Sequence, residues 1–225
     1  RKVNVVSIGY NKKSDIKIDK VQNFSKYKLI TIRSVGKVYK IKATSQIIKN
    51  IAFAIAVLEI LKLDVNKILN KIKNINNLEG RGKIYRIKCK NFNFNLIDES
   101  YNANPLSMKQ SILNLSKMQN NNCKYVLLGD MLELGEKSQS LHKKLSPIIN
   151  KSNINKLFIY GNHIMDTYKY VKKNKRGNVL QYRSDFKDLV LPVLQKNDYL
   201  MIKGSNATGL NKISKNLTLG RLNAI

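Results

Sequence analysis

The residues best suited to chemistry lie in one run, Asp98-Glu99-Ser100-Tyr101-Asn102-Ala103-Asn104-Pro105. It gathers a carboxylate pair and two carboxamides, groups that orient polar ligands by hydrogen bonding. Two other runs end in a similar way. Tyr125-Val126-Leu127-Leu128 leads into Gly129-Asp130, and Leu200-Met201-Ile202 leads into Lys203-Gly204-Ser205. Placed on one rim, these acids, amides and the lysine would form a concave site of mixed charge. Taken singly, each run also reads as an ordinary strand–turn–helix connection, since Asn, Asp and Ser favour turns.

The elements that must position these groups follow from the pattern around them. Phe92, Phe94, Leu96 and Ile97 read as a short strand. Leu106, Met108, Ile112, Leu113 and Leu115 recur near helical spacing, with Pro105 suited to a first turn and Asn104 to an N-cap. From Ile84 onward strands are predicted over 84–89, 93–98, 124–129, 156–160, 178–182 and 198–203. Helices are predicted over 105–118, 138–150, 162–172, 184–195 and 208–218. Such alternation argues for a mostly parallel sheet covered on both faces. The C-terminal ends of parallel strands share one edge, so Asn102, Asn104 and Lys203 are expected on one rim, facing a gap closed by residues 1–80. His142 reads as a partly exposed helix residue within reach of that rim.

Upstream, residues 1–44 read as a strand meander at the end of a larger sheet. Val3, Val5, Val6 and Ile8 form one apolar run, Tyr27, Leu29 and Thr31 alternate with their neighbours, and Gly36-Lys37 makes a hairpin turn. A helix is predicted over 45–62 from Ile47, Ile48, Ile51, Ala52, Ile55, Leu58 and Leu61, with Ser45 as its cap. Asp64 caps a second helix through Val65, Ile68, Leu69 and Ile72. The polar, Gly-containing stretch 74–83 is the expected domain boundary.

Composition narrows the function classes. The 225 residues carry 42 Lys and Arg against 14 Asp and Glu, a net +28. The lysines are scattered among many Asn and Ile, as in the bias of an A·T-rich genome, and no arm or helix concentrates them. Specific nucleic-acid binding is therefore not expected, whereas such a field favours anionic ligands such as nucleotides. Cys89 and Cys123 are isolated thiols without metal-ligand spacing, which fits a reducing cytoplasm. No apolar run approaches the ~18 residues of a membrane span, and Arg1-Lys2 opens no signal peptide.

The run from Asp98 to Pro105 resembles the D-D-S-Y-N-A-N-P signature of the Mur ligase family. The resemblance continues through Leu127-Leu128-Gly129-Asp130-Met131-Leu132-Glu133-Leu134-Gly135, with His142 at the family's usual distance, and ends at Lys203-Gly204-Ser205. It implies a Rossmann-like α/β domain over 81–225, preceded over 1–80 by the trailing part of a P-loop-type central ATPase domain. It also implies a cytoplasmic ligase of peptidoglycan-precursor synthesis. With Mg²⁺, ATP phosphorylates the terminal carboxylate of UDP-MurNAc-tripeptide, and the amine of D-alanyl-D-alanine attacks the acyl phosphate. The phosphate loop G-x-x-x-x-G-K-[ST] does not occur in this sequence. In the family it lies upstream with the Mg²⁺ ligands, so a fragment, inactive alone, is expected; an opening Arg1 in place of Met fits that expectation.

The resemblance assigns roles residue by residue. Lys203 would be the catalytic cation beside substrate carboxylate or phosphate, Asn50 would contact the adenine, Arg81 a nucleotide phosphate or ribose, and Glu99 the ribose. Asp98, Asn102, Asn104, Asp130 and Ser205 would face the substrate. Gln46 replaces a family His, Glu99 a family Asp, and Asn206 a family Arg. Another ligase of the superfamily, diaminopimelate-adding or folylpolyglutamate-forming, is an alternative, although neither normally carries S-Y-N-A-N-P. A non-catalytic basic domain left by gene erosion is a third, and it would account for the three departures.

Overall fold

The computed structural model describes residues 3–24, 27–43, 48–72, 78–89, 91–118 and 121–221. Gln46 and the cap expected at Ser45 lie outside them. The chain divides into two compact units, 1–77 and 78–225.

The first unit is a four-stranded sheet in the order β1-β2-β3-β4 with two helices. Its elements are β1 (Ile8–Gly9), β2 (Ile16–Asn23), β3 (Lys28–Ser34), β4 (Lys37–Ala43), α1 (Ile48–Ile60) and α2 (Val65–Ile72). The strands alternate as half-buried strands must. Ile16, Ile18, Ile30, Ile32, Tyr39 and Ile41 point inward, against Ile51, Ala52, Ile55 and Ala56 of α1. Two expectations change. Of the apolar run 3–8 only Ile8 joins a strand and packs on the core, while Val3 and Val5 are exposed. The turn falls at Val35-Gly36, where Gly36 takes a positive φ of 68° and Lys37 already pairs with Ser34. Within the meander expected over 1–44, Ile16–Asn23 forms a strand with no individual bounds in the sequence reading, its lysines and Asp19 masking the alternation. As expected, Asp64 caps α2, accepting from Asn66 N at 3.0 Å. Across the unit, Tyr39 donates to Glu59 Oε1 at 2.8 Å, and burial together with that carboxylate pushes the phenol up to about 12.

The second unit is built on a six-stranded sheet in the order β5-β6-β10-β7-β8-β9. In chain order its elements are β5 (Lys83–Lys88), β6 (Asn93–Asp98), α3 (Pro105–Ser116), β7 (Lys124–Gly129), α4 (Ser138–Lys143) and α5 (Ser146–Lys151). Then come β8 (Lys156–Tyr160), α6 (Met165–Tyr168), β9 (Arg176–Leu180), α7 (Phe186–Leu189), β10 (Tyr199–Lys203) and α8 (Leu210–Thr218). All neighbours run parallel except β5, which lies antiparallel on the edge. The central strands read as continuous apolar runs because both faces are covered. On one face Leu96, Leu127, Phe158 and Ile202 pack with Phe186 of α7 and Ile213 and Leu217 of α8. On the other, Ile97, Val126, Leu128 and Met201 pack with Met108, Ile112 and Leu115 of α3 and Ile149 of α5.

The long predicted helices are shorter in the fold. Pro147 divides 138–150 into α4 and α5, and Pro192 reduces the end of 184–195 to a 3₁₀ turn, since a proline lacks the N–H that an α-helical turn needs. Within 162–172 only Met165–Tyr168 is α-helical, because the residues before it wrap around Asp130.

Candidate functional site

The loop after β6 leads to α3 on one face of the sheet, and the loop after the adjacent β10 leads to α8 on the other. Their departure in opposite directions opens a crevice at the C-terminal edge, the switch point where open α/β sheets bind ligands.

Asp98 closes β6 and is buried. Its Oδ2 accepts from Gly80 N at 3.0 Å, and its Oδ1 accepts from Ser100 Oγ at 2.5 Å and Ser100 N at 3.2 Å. The division between the two units at 77/78 lies within the 74–83 stretch, and Gly80 is bonded into this turn from both sides: Tyr101 N also donates to Gly80 O at 3.1 Å. Gly80 has a φ of 70°, and a Cβ there would meet Tyr101 at 2.8 Å, so only glycine allows this approach. Arg81 then stacks its guanidinium over the Tyr101 ring, 4.3 Å from the centroid.

Lys203, the last residue of β10, reaches across to this turn. Its Nζ donates to Asn102 O at 2.9 Å and lies 3.5 Å from Glu99 Oε2. Its side chain is 3% exposed and that of Glu99 23%, so the pair sits at the floor of the crevice with the carboxylate nearer solvent. Burial pushes the Lys203 ammonium below its ordinary pKa, Glu99 opposes this, and the nearby Arg81 charge adds to it. Asn102 Oδ1 accepts from Ala103 N at 2.8 Å, which leaves its amide nitrogen pointed away from that bond on an exposed side chain.

The third strand end joins the other two through Ser205. Its buried hydroxyl accepts from Leu132 N at 2.9 Å and donates to Ala103 O at 3.4 Å, while Ser205 N donates to Asp130 O at 2.9 Å. The Asp130 carboxylate is also engaged, accepting from Ile164 N at 2.7 Å and Asn162 N at 3.1 Å. At Gly161, φ +126°, a Cβ would sit 2.5 Å from that carboxylate. His142, expected to be partly exposed, is fully buried. Its Nε2 accepts from Met131 N at 3.0 Å, and its Nδ1 donates to Ser138 O at 2.8 Å, which fixes the tautomer because a carbonyl only accepts. Sequence reasoning missed this anchor; its one signal was the spacing to the Leu127–Gly135 run.

Of the nine residues singled out from sequence, Arg81, Asp98, Glu99, Asn102, Lys203 and Ser205 meet around the crevice. Asp130 is turned toward the loop after β8. Asn104 completes a capping box with Ser107, its Oδ1 accepting from Ser107 N at 2.8 Å. Asn50 stands exposed on α1 of the first unit. Beside the crevice a cleft of about 240 Å³ opens between Gly80, Tyr101 and α8, where Asn211 presents a buried Oδ1 with no hydrogen-bond partner among the described residues. Among the described residues no cluster of three or more His, Cys, Asp or Glu forms that could hold a metal ion.

Sheet order, crevice and polar lining define a Rossmann-like α/β domain with its ligand edge at the C-terminal strand ends. The family model of the Mur ligase, glutamate ligase domain, matches residues 85–206, and the chain belongs to that family. The UDP-N-acetylmuramoyl-tripeptide–D-alanyl-D-alanine ligase of Rickettsia prowazekii is 28% identical over 164 residues, 73% of this chain and 35% of the relative. The same-named enzyme of Bacillus subtilis is 30% identical over 125 residues, 54% of this chain and 27% of the relative. The chain thus spans about a third of the length of these curated relatives. In fold it resembles the MurF ligase of Thermotoga maritima in complex with ADP, with a TM-score of 0.75 at 18% identity, covering 98% of this chain and 49% of that one.

Proposed function

We propose that this chain is the C-terminal part of an ATP-dependent ligase that joins D-alanyl-D-alanine to UDP-MurNAc-tripeptide through an acyl phosphate, in cytoplasmic peptidoglycan-precursor synthesis. On this reading the first unit is the trailing part of the central ATPase domain, with Asn50 toward the adenine. The observation that carries it is Lys203 in the crevice between β6 and β10, held against Glu99 and the Asn102 carbonyl. An ammonium has three donors, and one of those on Lys203 is committed to Asn102. The others face Glu99 over longer contacts, its carbonyl and its carboxylate oxygen both at 3.5 Å, which an acyl phosphate, and the oxyanion that forms when the dipeptide amine attacks it, would displace. A fixed cation in a site this dry stabilises such charge far better than water does. Arg81, stacked on Tyr101, supplies a second cation at the mouth, and Glu99 offers an acceptor to a ribose hydroxyl. The free amide of Asn102 orients the dipeptide. Asp98, Asp130 and Ser205 act by bracing the three loops. Among the described residues no three His, Cys, Asp or Glu come together to hold a metal ion, and on this reading Mg²⁺ belongs to the upstream part. No helix among the described residues is long and apolar enough to cross a membrane.

The test uses the enzyme that carries a phosphate loop together with this chain. ADP release should require both UDP-MurNAc-tripeptide and D-alanyl-D-alanine. Equal kcat/KM with diaminopimelate or glutamate as acceptor would move the chain to another ligase of the superfamily. Absence of release with every acceptor would favour the eroded, non-catalytic domain.

A further inference from the structure

A second cleft, of about 380 Å³, opens on the β8–β9 half of the same sheet edge. Tyr160 ends β8, Tyr182, Arg183 and Ser184 follow β9, and Lys212 stands in the first turn of α8, over Ile213. Strands lie roughly 4.8 Å apart, so this cleft is some two to three strand spacings, roughly 10–14 Å, from the Lys203 crevice. We propose that it is a separate subsite for a small organic ligand bearing a carboxylate or phosphoryl group.

Two features point to an oxyanion. Among the described residues neither Arg183 nor Lys212 has an ion-pair partner, although both line one concavity. The acid on the same turn, Asp185, directs its Oδ2 instead to the backbone of Gln181 at 2.8 Å and Tyr182 at 2.9 Å. The guanidinium also has a prepared seat. It lies close against Gly209, where a Cβ would fall 2.3 Å from Nη1, and the φ of +76° there admits glycine readily. Arg183 is thus half-buried and held in place, not one of the waving cations that a net +28 scatters over the surface. A guanidinium fork matches the paired oxygens of a carboxylate or phosphate. The two tyrosines that line the cleft supply aromatic surface for an organic body, and the hydroxyl of Tyr160 has no partner among the described residues. At this volume the cleft reaches the lower range of small-molecule sites, larger than a bare phosphate needs.

Binding at this cleft does not depend on the ligase reading and is measured without turnover. The 225-residue chain, labelled with ¹⁵N in about 150 mM salt, is titrated with inorganic phosphate, with N-acetyl-D-alanyl-D-alanine, and with the uncharged C-terminal amide of that acetylated dipeptide. Saturable amide shifts are expected at 182–184 and 209–213 with one or both anions and not with the amide. A response to phosphate alone identifies a phosphoryl ligand, and one to the dipeptide alone a carboxylate. Combining Arg183→Gln with Lys212→Gln should weaken binding at least tenfold. Lys109→Gln with Lys151→Gln removes the same charge from another cleft and should change nothing. Arg183→Lys keeps the charge, loses the fork and should fall between, with melting curves confirming that each variant is folded. Equal losses in the two double variants, binding of the uncharged amide, or no shifts at these residues would overturn the proposal.

Discussion

At the scale of single residues, engagement separates ligand-facing groups from bracing ones. On the ligase reading Lys203 does both, since its Nζ also holds the Asn102 carbonyl at 2.9 Å. In the intact enzyme Lys203→Ala should lose on the order of 2–4 kcal/mol in kcat/KM, comparable to the loss of an oxyanion donor. The melting temperature should fall as well, because the 99–102 turn loses its staple. Unchanged kinetics would end the assignment of Lys203 to the reacting group. Asn104 behaves differently. Its capping box with Ser107 is complete, so Asn104→Ala should cost about 1 kcal/mol of stability and leave kcat/KM within about twofold. A drop beyond tenfold with an unchanged melt would return Asn104 to the substrate.

At the scale of elements, the loop after β7 depends on a neutral histidine from α4. Burial holds the His142 ring below its ordinary pKa, while the Ser138 carbonyl and the charges of Asp130 and Asp166 pull it up, and His163, stacked at 5.8 Å, pushes it down. A folded-state pKa below the unfolded value means that the fold favours the neutral ring. This contribution is complete above about pH 6.5 and is lost as pH falls through the lowered pKa. Protonation would also aim an N–H at the Met131 N–H. The melting temperature should therefore decline as pH drops from 7 toward 5, and the decline should be flatter in His142→Gln, whose starting value is lower. Parallel curves for the two proteins would rule out this titration as the cause. Hydrogen exchange at Met131 and Leu132 should accelerate over the same interval if the loop is what loosens.

At the scale of the whole molecule, the net charge of +28 is spread over both units. Duplex DNA should bind weakly, with steep salt dependence and no sequence preference, because dispersed lysines contact phosphates and leave base edges unread. Filter binding across unrelated duplexes measures this. A preference of roughly a thousandfold, as specific binders show, would favour a nucleic-acid-binding role over the ligase.

What the sequence determined by itself was the alternation of β-branched strands with apolar-periodic helices, the polar runs at three strand ends and the family they mark. Those signals are local. Periodicity states which face of an element is buried, and a turn residue acts within a few positions. The tertiary structure alone decided that β10 inserts between β6 and β7, which sets Lys203 against Glu99 across about a hundred residues of chain. It also decided that Asp98, Asp130 and Ser205 are engaged by neighbouring loops, that His142 is buried, and that Arg183 and Lys212 line one cleft. Strand pairing and hydrogen-bond saturation are set by partners distant in sequence. A carboxylate that binds substrate and one that braces a loop therefore look alike until those partners are in place.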